Sequence, residues 1–148
     1  MLRIVGRSGR QTGLLQRLHR QLPRPEQVVL IERLSQDQLV ACLRSSLALL
    51  SASTEEGFDY PVLEAKAEGI PTIISAISVH REFHAESSLF FPVDDDGTAL
   101  AHHLIDLRRD TALWGDLSQS GLALARSLSV QRQVEEISAQ IKALAFLR

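Results

Sequence analysis

The feature that most constrains the fold is a regular alternation of short apolar runs with segments of helical period. The apolar runs predict strands, and the segments between them carry apolar residues at three- and four-residue spacing, which predicts helices. Such alternation is typical of a parallel sheet, because each helix returns the chain to the same sheet edge. The predicted strands cover 2–6, 27–32, 46–52, 70–75 and 88–93. We therefore expect an α/β fold with a parallel sheet of about five strands and helices on both faces.

Helices are predicted between the strands and again after the last one. The early helices cover 11–22, 35–46 and 61–68, and a helical C-terminal tail covers 97–108, 111–126 and 130–146. Ser35 is expected to cap the second helix. One face of the last helix is apolar and carries Val134, Ile137, Ile141, Leu144 and Ala145, with Phe146 and Leu147 after it. We expect this face to be an exposed patch or a contact surface unless something covers it.

Composition excludes several classes of function. The 148 residues carry a formal net charge of −2, which is not the basic field that sequence-independent nucleic-acid binding needs. Cys42 is the single cysteine, so these residues form no disulfide and no multi-cysteine metal site. His102 and His103 are adjacent rather than at ligand spacing on one helix face. We expect one domain, 1–148, in the cytoplasm, with no metal, no other cofactor and no nucleic-acid partner.

The stretch STEEGFDYPVLEAKAEGIPTIIS, residues 53–75, lies between two apolar runs. It begins where the third strand is predicted to end, and open parallel sheets bind ligands beyond the carboxyl ends of their strands. The N–H groups at the start of its short helix suit a phosphate, whereas Glu55, Glu56 and Glu64 can accept hydrogen bonds from sugar hydroxyls. Together these groups suit a nucleotide sugar. A structural explanation stays open, because a glutamate near a helix start is favoured by the helix dipole alone and loop glutamates can simply be solvated.

The same stretch resembles the signature of the retaining GT-B glycosyltransferases of the group 1, or family 4, type. Their E-x7-E motif runs E-G-F-G-x-P-x-x-E-A-x-A-x-G-x-P-V-I, and Glu56 and Glu64 supply its two glutamates. The similarity continues through SAISVHREF (75–83) and SSLFFPVDDDGTALAHHL (87–104), and upstream through residues 28–53. The resemblance implies a Rossmann-like domain that is the C-terminal, donor-binding half of a longer GT-B glycosyltransferase.

The resemblance also implies roles for individual residues. Glu56 would be the catalytic residue, contacting the transferred sugar and steadying charge at the reacting centre. Glu64 would bind the ribose, and the backbone after Glu56 would face the donor's sugar and phosphate. The donor-binding positions implied in this way are Gly57, Phe58, Asp59, Glu64, Arg33 and Leu34, the last two beside the nucleotide base. The turn 6–9 would lie near the same crevice.

Two departures from the family pattern carry expectations of their own. The second glycine of the motif is Asp59 here, which adds a negative charge near the sugar. The family's Arg and Lys that neutralise the diphosphate, and its N-terminal acceptor-binding domain, have no counterpart in 1–148. Without a basic clamp, the charge on a departing diphosphate is largely uncompensated. We therefore expect this polypeptide alone to be inactive or nearly so, and to bind a donor weakly.

Two functions are consistent with these residues. The first is the donor half of a transferase that moves a sugar from a nucleotide sugar to a polysaccharide, glycolipid or similar acceptor, in a full-length protein that can associate peripherally with the cytoplasmic face of the inner membrane. The second is a non-catalytic nucleotide-sugar-binding or interaction module, or one subunit of a split transferase. His80 and His84 follow the fourth strand and are expected at polar loop or cap positions rather than in the site.

Overall fold

The computed structural model describes residues 1–145, so Phe146 and Leu147 of the predicted apolar tail lie outside the described residues. The strands are β1 Leu2–Val5, β2 Val28–Ile31, β3 Leu49–Ser51, β4 Thr72–Ser75 and β5 Leu89–Phe91. The helices are α1 Thr12–Gln21, α2 Gln36–Arg44, α3 Tyr60–Ala67, α4 Ser78–His84, α5 Thr98–Arg109, α6 Thr111–Ser127 and α7 Val130–Ala145. All strand pairs are parallel, which confirms the predicted α/β class.

Residues Met1–Cys42 form one compact unit. In it β1 pairs with β2 in a register that runs from Leu2 opposite Val28 to Val5 opposite Ile31. Ser35 caps α2 as predicted, through a reciprocal pair of bonds: the Gln38 N–H donates to Ser35 Oγ over 3.3 Å, and the Ser35 N–H donates to Gln38 Oε1 over 2.9 Å. This capping box fixes where the chain leaves β2 and enters the helix.

The second compact unit begins at Leu43. Its sheet has the order β3-β4-β5, and the central strand β4 is buried along its whole length. A cluster of buried side chains packs there: Ile73, Phe91, Leu107 and Leu117. The third strand is shorter than the predicted 46–52, and its three residues are only partly buried. It pairs with β4 alone in this sheet, and its partial burial differs from the burial on both faces that its apolar run predicts.

Helix α4 corrects the expectation of a polar loop after the fourth strand. Residues Ser78–His84 are helical, and both His80 and His84 are fully buried. Their four-residue spacing puts them on one helix face, which faces inward. The sequence pattern does not predict this helix. The segment SVHREFH is short, and the residues on its buried face are histidines, which count as polar in a hydropathy pattern.

Helix α3, which carries Glu64, ends in a glycine motif. Gly69 has φ +71°, the Gly69 N–H donates to the Lys66 carbonyl, and the Ile70 N–H donates to the Ala65 carbonyl. This pair of bonds satisfies two carbonyls at the helix end and reverses the chain into β4. This short turn between α3 and β4 therefore limits how far Glu64 stands from the sheet edge.

The apolar face of α7 is exposed, as predicted. Val134, Ile137 and Ile141 are 56–62 % exposed, and Val130 is 76 % exposed. The side chains of Leu144 and Ala145 are not among those described. None of the helices within 1–145 combines the length and the apolar character needed to cross a membrane.

Candidate functional site

The loop 52–59 connects the carboxyl end of β3 to the start of α3. The carboxyl end of β4 lies beside it, because the two strands are parallel neighbours. A side-chain bond joins the two ends: the Ser75 hydroxyl, at the last position of β4, donates to the Ser53 carbonyl. The candidate site therefore stands where open parallel sheets place their ligands.

Glu56 lies in this loop and is exposed. Its Oε1 accepts a hydrogen bond of 2.7 Å from Ser53 Oγ, which restrains the carboxylate while leaving its other oxygen available. Glu64 is also exposed, one turn into α3. The preceding Glu55 is exposed as well, and nothing in the described residues distinguishes it as a ligand group.

Phe58 anchors the loop through contacts with other rings. Its ring centroid lies 5.2 Å from that of Phe83, 5.3 Å from that of Tyr60 and 6.2 Å from that of His84. This aromatic packing draws the loop toward α4 and leaves Gly57 exposed. Within residues 1–145, the N–H groups of Gly57 and Phe58 donate no backbone hydrogen bond.

Asp59 does not place its charge at the open site, which corrects the expectation from the sequence. Its side chain is buried, with a residue exposure of 6 %, and its Oδ2 accepts from Ser51 Oγ over 2.5 Å. The same oxygen lies 3.1 Å from Nε2 of His80, whose Nδ1 is 2.8 Å from the Ser75 carbonyl. Asp59 is also the only non-glycine residue among 1–145 with a positive φ, at 62°. The carboxylate therefore points into the fold.

His84 lies next to this pair and is held neutral. Burial, with a smaller contribution from the positive charges of Lys66 and His80, lowers the pKa of His84 from 6.5 to about 4, against smaller opposing effects from Asp59 and the Phe58 backbone. Neither ring nitrogen forms a well-aligned hydrogen bond with a described residue, although the Phe58 backbone lies close enough to act on the ring. The neutral imidazole of His84 thus packs against Phe58 on the buried side of the loop.

Lys66 is a buried lysine on α3, on the side away from solvent. Its Nζ lies 2.7 Å from the Ser87 carbonyl, 2.5 Å from Ser87 Oγ and 2.8 Å from Ser88 Oγ. Burial lowers its pKa from 10.5 to about 7. Lys66 therefore ties α3 to the segment that enters β5.

Arg33 and Leu34 belong to the other compact unit and lie just before α2. Arg33 is exposed and Leu34 is partly buried. The carboxyl ends of β1 and β2 in that unit border a cavity of about 290 Å³, lined by apolar residues such as Ile4 and Leu15 and by polar residues such as Ser8 and Glu32. Ser8 Oγ donates to Glu32 Oε1 over 2.9 Å, so the turn 6–9 is fixed against the end of β2.

The described part of the chain holds no group of three His, Cys, Asp or Glu side chains arranged to bind a metal ion. His103 instead lies 3.0 Å from the Phe90 carbonyl, and His102 is exposed.

Comparison with known proteins identifies the class and then the family. The fold is that of the GT-B glycosyltransferases, and residues 1–121 match the family described as glycosyl transferases group 1. The chain belongs to that family. It is 29 % identical over 137 residues to the serotype-specific mannosyltransferase WbdA of Escherichia coli, in an alignment that covers 86 % of this chain and 17 % of that protein.

Solved structures support the fold. Sucrose-phosphate synthase of Thermosynechococcus elongatus matches with a TM-score of 0.78 at 21 % identity, covering 99 % of this chain and 38 % of its own. Alr3699/HepE of Anabaena, solved in complex with UDP and glucose, matches with a TM-score of 0.74 at 17 % identity, covering 95 % and 39 %. The chain therefore spans well under half the length of each of these relatives.

Sequence reasoning found the exposed glutamates but missed the buried polar groups beneath them. His80, Lys66 and Ser51 form contacts with residues 8 to 22 positions away, and no local pattern announces such pairs. One signal was present: an aspartate stands where the motif has a glycine, and a buried acid in that place requires a partner.

Proposed function

We propose that this chain is the donor-binding half of a retaining glycosyltransferase that moves a hexose from a nucleotide sugar to a polysaccharide, glycolipid or similar acceptor. The observation that carries the proposal is Glu56, restrained by Ser53 yet exposed at the carboxyl edge of parallel strands. A carboxylate fixed in this way is suited to accept hydrogen bonds from sugar hydroxyls.

The other residues take complementary roles. The N–H groups of Gly57, Phe58 and Asp59 face the donor's sugar and phosphate, Glu64 binds the ribose, and Arg33–Leu34 lie beside the base. Family membership supports sugar transfer, WbdA is named a mannosyltransferase, and the complex of HepE with UDP and glucose supports a nucleotide-sugar donor. The acceptor is bound by a further domain or a partner chain, and the reaction takes place in the cytoplasm without a metal ion.

Binding measurements test the proposal directly. Calorimetry and NMR titration of the 148-residue chain are made with UDP, GDP, UDP-glucose and GDP-mannose. We expect one nucleotide sugar to bind more tightly than its own diphosphate, because only the sugar reaches Glu56. Failure of every nucleotide and nucleotide sugar to bind would contradict the proposal.

Charge-neutral variants separate the two glutamates. Glu56→Gln is expected to abolish the extra affinity contributed by the sugar, whereas Glu64→Gln weakens the diphosphate and the nucleotide sugar alike. Glu55→Gln is the matched control, since Glu55 is an exposed neighbour in the same loop. If Glu55→Gln and Glu56→Gln changed the affinity for the nucleotide sugar equally, Glu56 would not be a specific contact of the sugar.

A further inference from the structure

We propose that His80 and Asp59 form a buried, proton-sharing pair that positions the loop 52–59, and with it Glu56, for the sugar of the donor. The role assigned to Glu56 rests on the proposed function, but the pair itself is tested separately below. His80 and Asp59 are positioning residues: both side chains are buried, and neither reaches the open face of the loop.

The geometry of His80 requires a proton between the two side chains. Nδ1 faces the Ser75 carbonyl at 2.8 Å, and a carbonyl only accepts, so Nδ1 carries a hydrogen. Nε2 then faces Asp59 Oδ2 at 3.1 Å, and an unprotonated Nε2 would meet a carboxylate lone pair to lone pair. The contact is attractive only when one further proton lies between the two atoms. Because an imidazole is ordinarily a stronger base than a carboxylate, we place this proton on Nε2, as an imidazolium beside a carboxylate.

The pair connects three elements to the loop. Asp59 closes the loop at the start of α3 and accepts from Ser51 at the end of β3. His80 stands on α4 and donates to the last carbonyl of β4. Ser75 of that same strand end donates from its hydroxyl to the Ser53 carbonyl, and Ser53 donates to Glu56. Both ends of the loop are thus fixed to the sheet edge, and Glu56 lies between them.

The pair also explains why an aspartate is tolerated where the motif has glycine. At φ 62° an L-residue is strained by about 1 kcal/mol relative to glycine. A buried carboxylate adds a desolvation cost unless it is paired and hydrogen-bonded. His80 and Ser51 supply that pairing. The Asp59–His80 pair has no net charge, so Asp59 does not add a negative charge near the sugar.

Other titratable groups surround the pair and enter any measurement of its protonation. The ring of His84 lies 6.1 Å from that of His80 on the same helix, and the positive charge of Lys66 on α3 acts on His84. From the loop, Glu56 is linked through Ser53. His84 is uncharged at neutral pH, so it does not compete with His80 for the shared proton.

The first experiment is imidazole ¹⁵N NMR of the whole chain. At neutral pH we expect both ring nitrogens of His80 to carry a proton, and those of His84 to show a neutral ring. A neutral His80 ring, with one nitrogen unprotonated, would overturn the proposal.

The second experiment uses three variants and reads amide hydrogen exchange in residues 53–59. His80→Leu leaves the Asp59 carboxylate unpaired, and we expect loop exchange to accelerate at least about tenfold, the loss of one charge-assisted bond. The double variant Asp59→Gly/His80→Leu removes the acid as well and is expected to recover most of that protection. His103→Leu, which removes another histidine–carbonyl contact of the same unit, is the control. Unchanged exchange in His80→Leu, or no recovery in the double variant, would overturn the pairing.

Binding then connects the pair to the donor. We expect His80→Leu to weaken the binding of the favoured nucleotide sugar by at least about tenfold and the binding of its diphosphate much less, because the hydrogen-bond network reaches Glu56. Equal weakening of both ligands would refute the link to the sugar. If the unmodified chain binds no nucleotide sugar, the proposed function fails, whereas the NMR and exchange results still decide whether the pair orders the loop.

Discussion

Lys66 on α3 and Gly121 on α6 lie in direct contact, and a methyl group built on Gly121 would come within 3.1 Å of Lys66 Cγ. The glycine lets the two helices approach until the lysine stem lies against the α6 backbone. This contact holds the helix that carries Glu64, so the packing below the candidate site depends on a residue without a side chain.

A bulky residue at position 121 should therefore separate the helices. We expect Gly121→Val to lower the free energy of unfolding by about 1–3 kcal/mol more than Gly115→Val does, through overpacking. Gly115 is the matched control, because it lies in the same helix with open space around it. Urea denaturation measures both, and equal losses would show that the close approach is not tight.

The pH dependence of stability should report Lys66. Its pKa is about 7 in the folded chain and 10.5 as the ordinary value, so between these pH values the unfolded chain binds a proton that the folded chain has released. Unfolding free energy should then rise from pH about 7 toward 10.5, by up to a few kcal/mol. Lys66→Met should abolish this rise, and Lys142→Met, on exposed α7, should keep it. A rise that survives in Lys66→Met would assign it to another group.

Acid should destabilise the chain through His84. Its folded pKa is about 4 against an ordinary 6.5, so the unfolded state alone gains a proton as pH falls through this interval. The contribution of His84 is constant above pH about 6.5 and is lost progressively down to about 4. His84→Phe should flatten the melting temperature across this window, whereas the exposed-site variant His102→Phe should not. A parallel decline in His84→Phe and the unmodified chain would contradict the assignment.

The exposed face of α7 should contribute little to the stability of the isolated chain. Ile137 is 56 % exposed, so Ile137→Gln is expected to change the free energy of unfolding by less than about 0.5 kcal/mol. Leu117→Ala, in the buried cluster, should cost about 2–5 kcal/mol. A large loss in Ile137→Gln would mean that the face is covered, and sedimentation of the same samples would show whether a second copy covers it.

Much of the fold could be predicted from the sequence, because it is encoded in local periodicity. The strand–helix order, the cap at Ser35 and the short helix with Pro61 in its first turn all depend on neighbouring residues. The exposed glutamates could also be predicted, since their spacing is a motif. The length of β3 could not, because an apolar run does not tell whether a strand has one hydrogen-bonded neighbour or two.

The groups beneath the site depend on contacts across the fold and were out of reach of local patterns. No local pattern marks Lys66 as a buried residue, yet it is buried in contact with Ser87 and Ser88. Asp59 reads as a charge beside the sugar, yet it turns inward to His80. In both cases the side chain's direction is decided by a partner about 21 residues away.

The left-handed Asp59 also limits how this chain can be recombined with its relatives. A graft that carries only the loop and α3 into a relative with glycine at this position would introduce Asp59 without its partner His80. The reverse graft, which places the relative's glycine in this chain, would leave His80 buried without a carboxylate partner. The smallest interchangeable cassette therefore runs from the end of β3 through the end of α4, and chimaeras cut between these points should express as poorly folded protein.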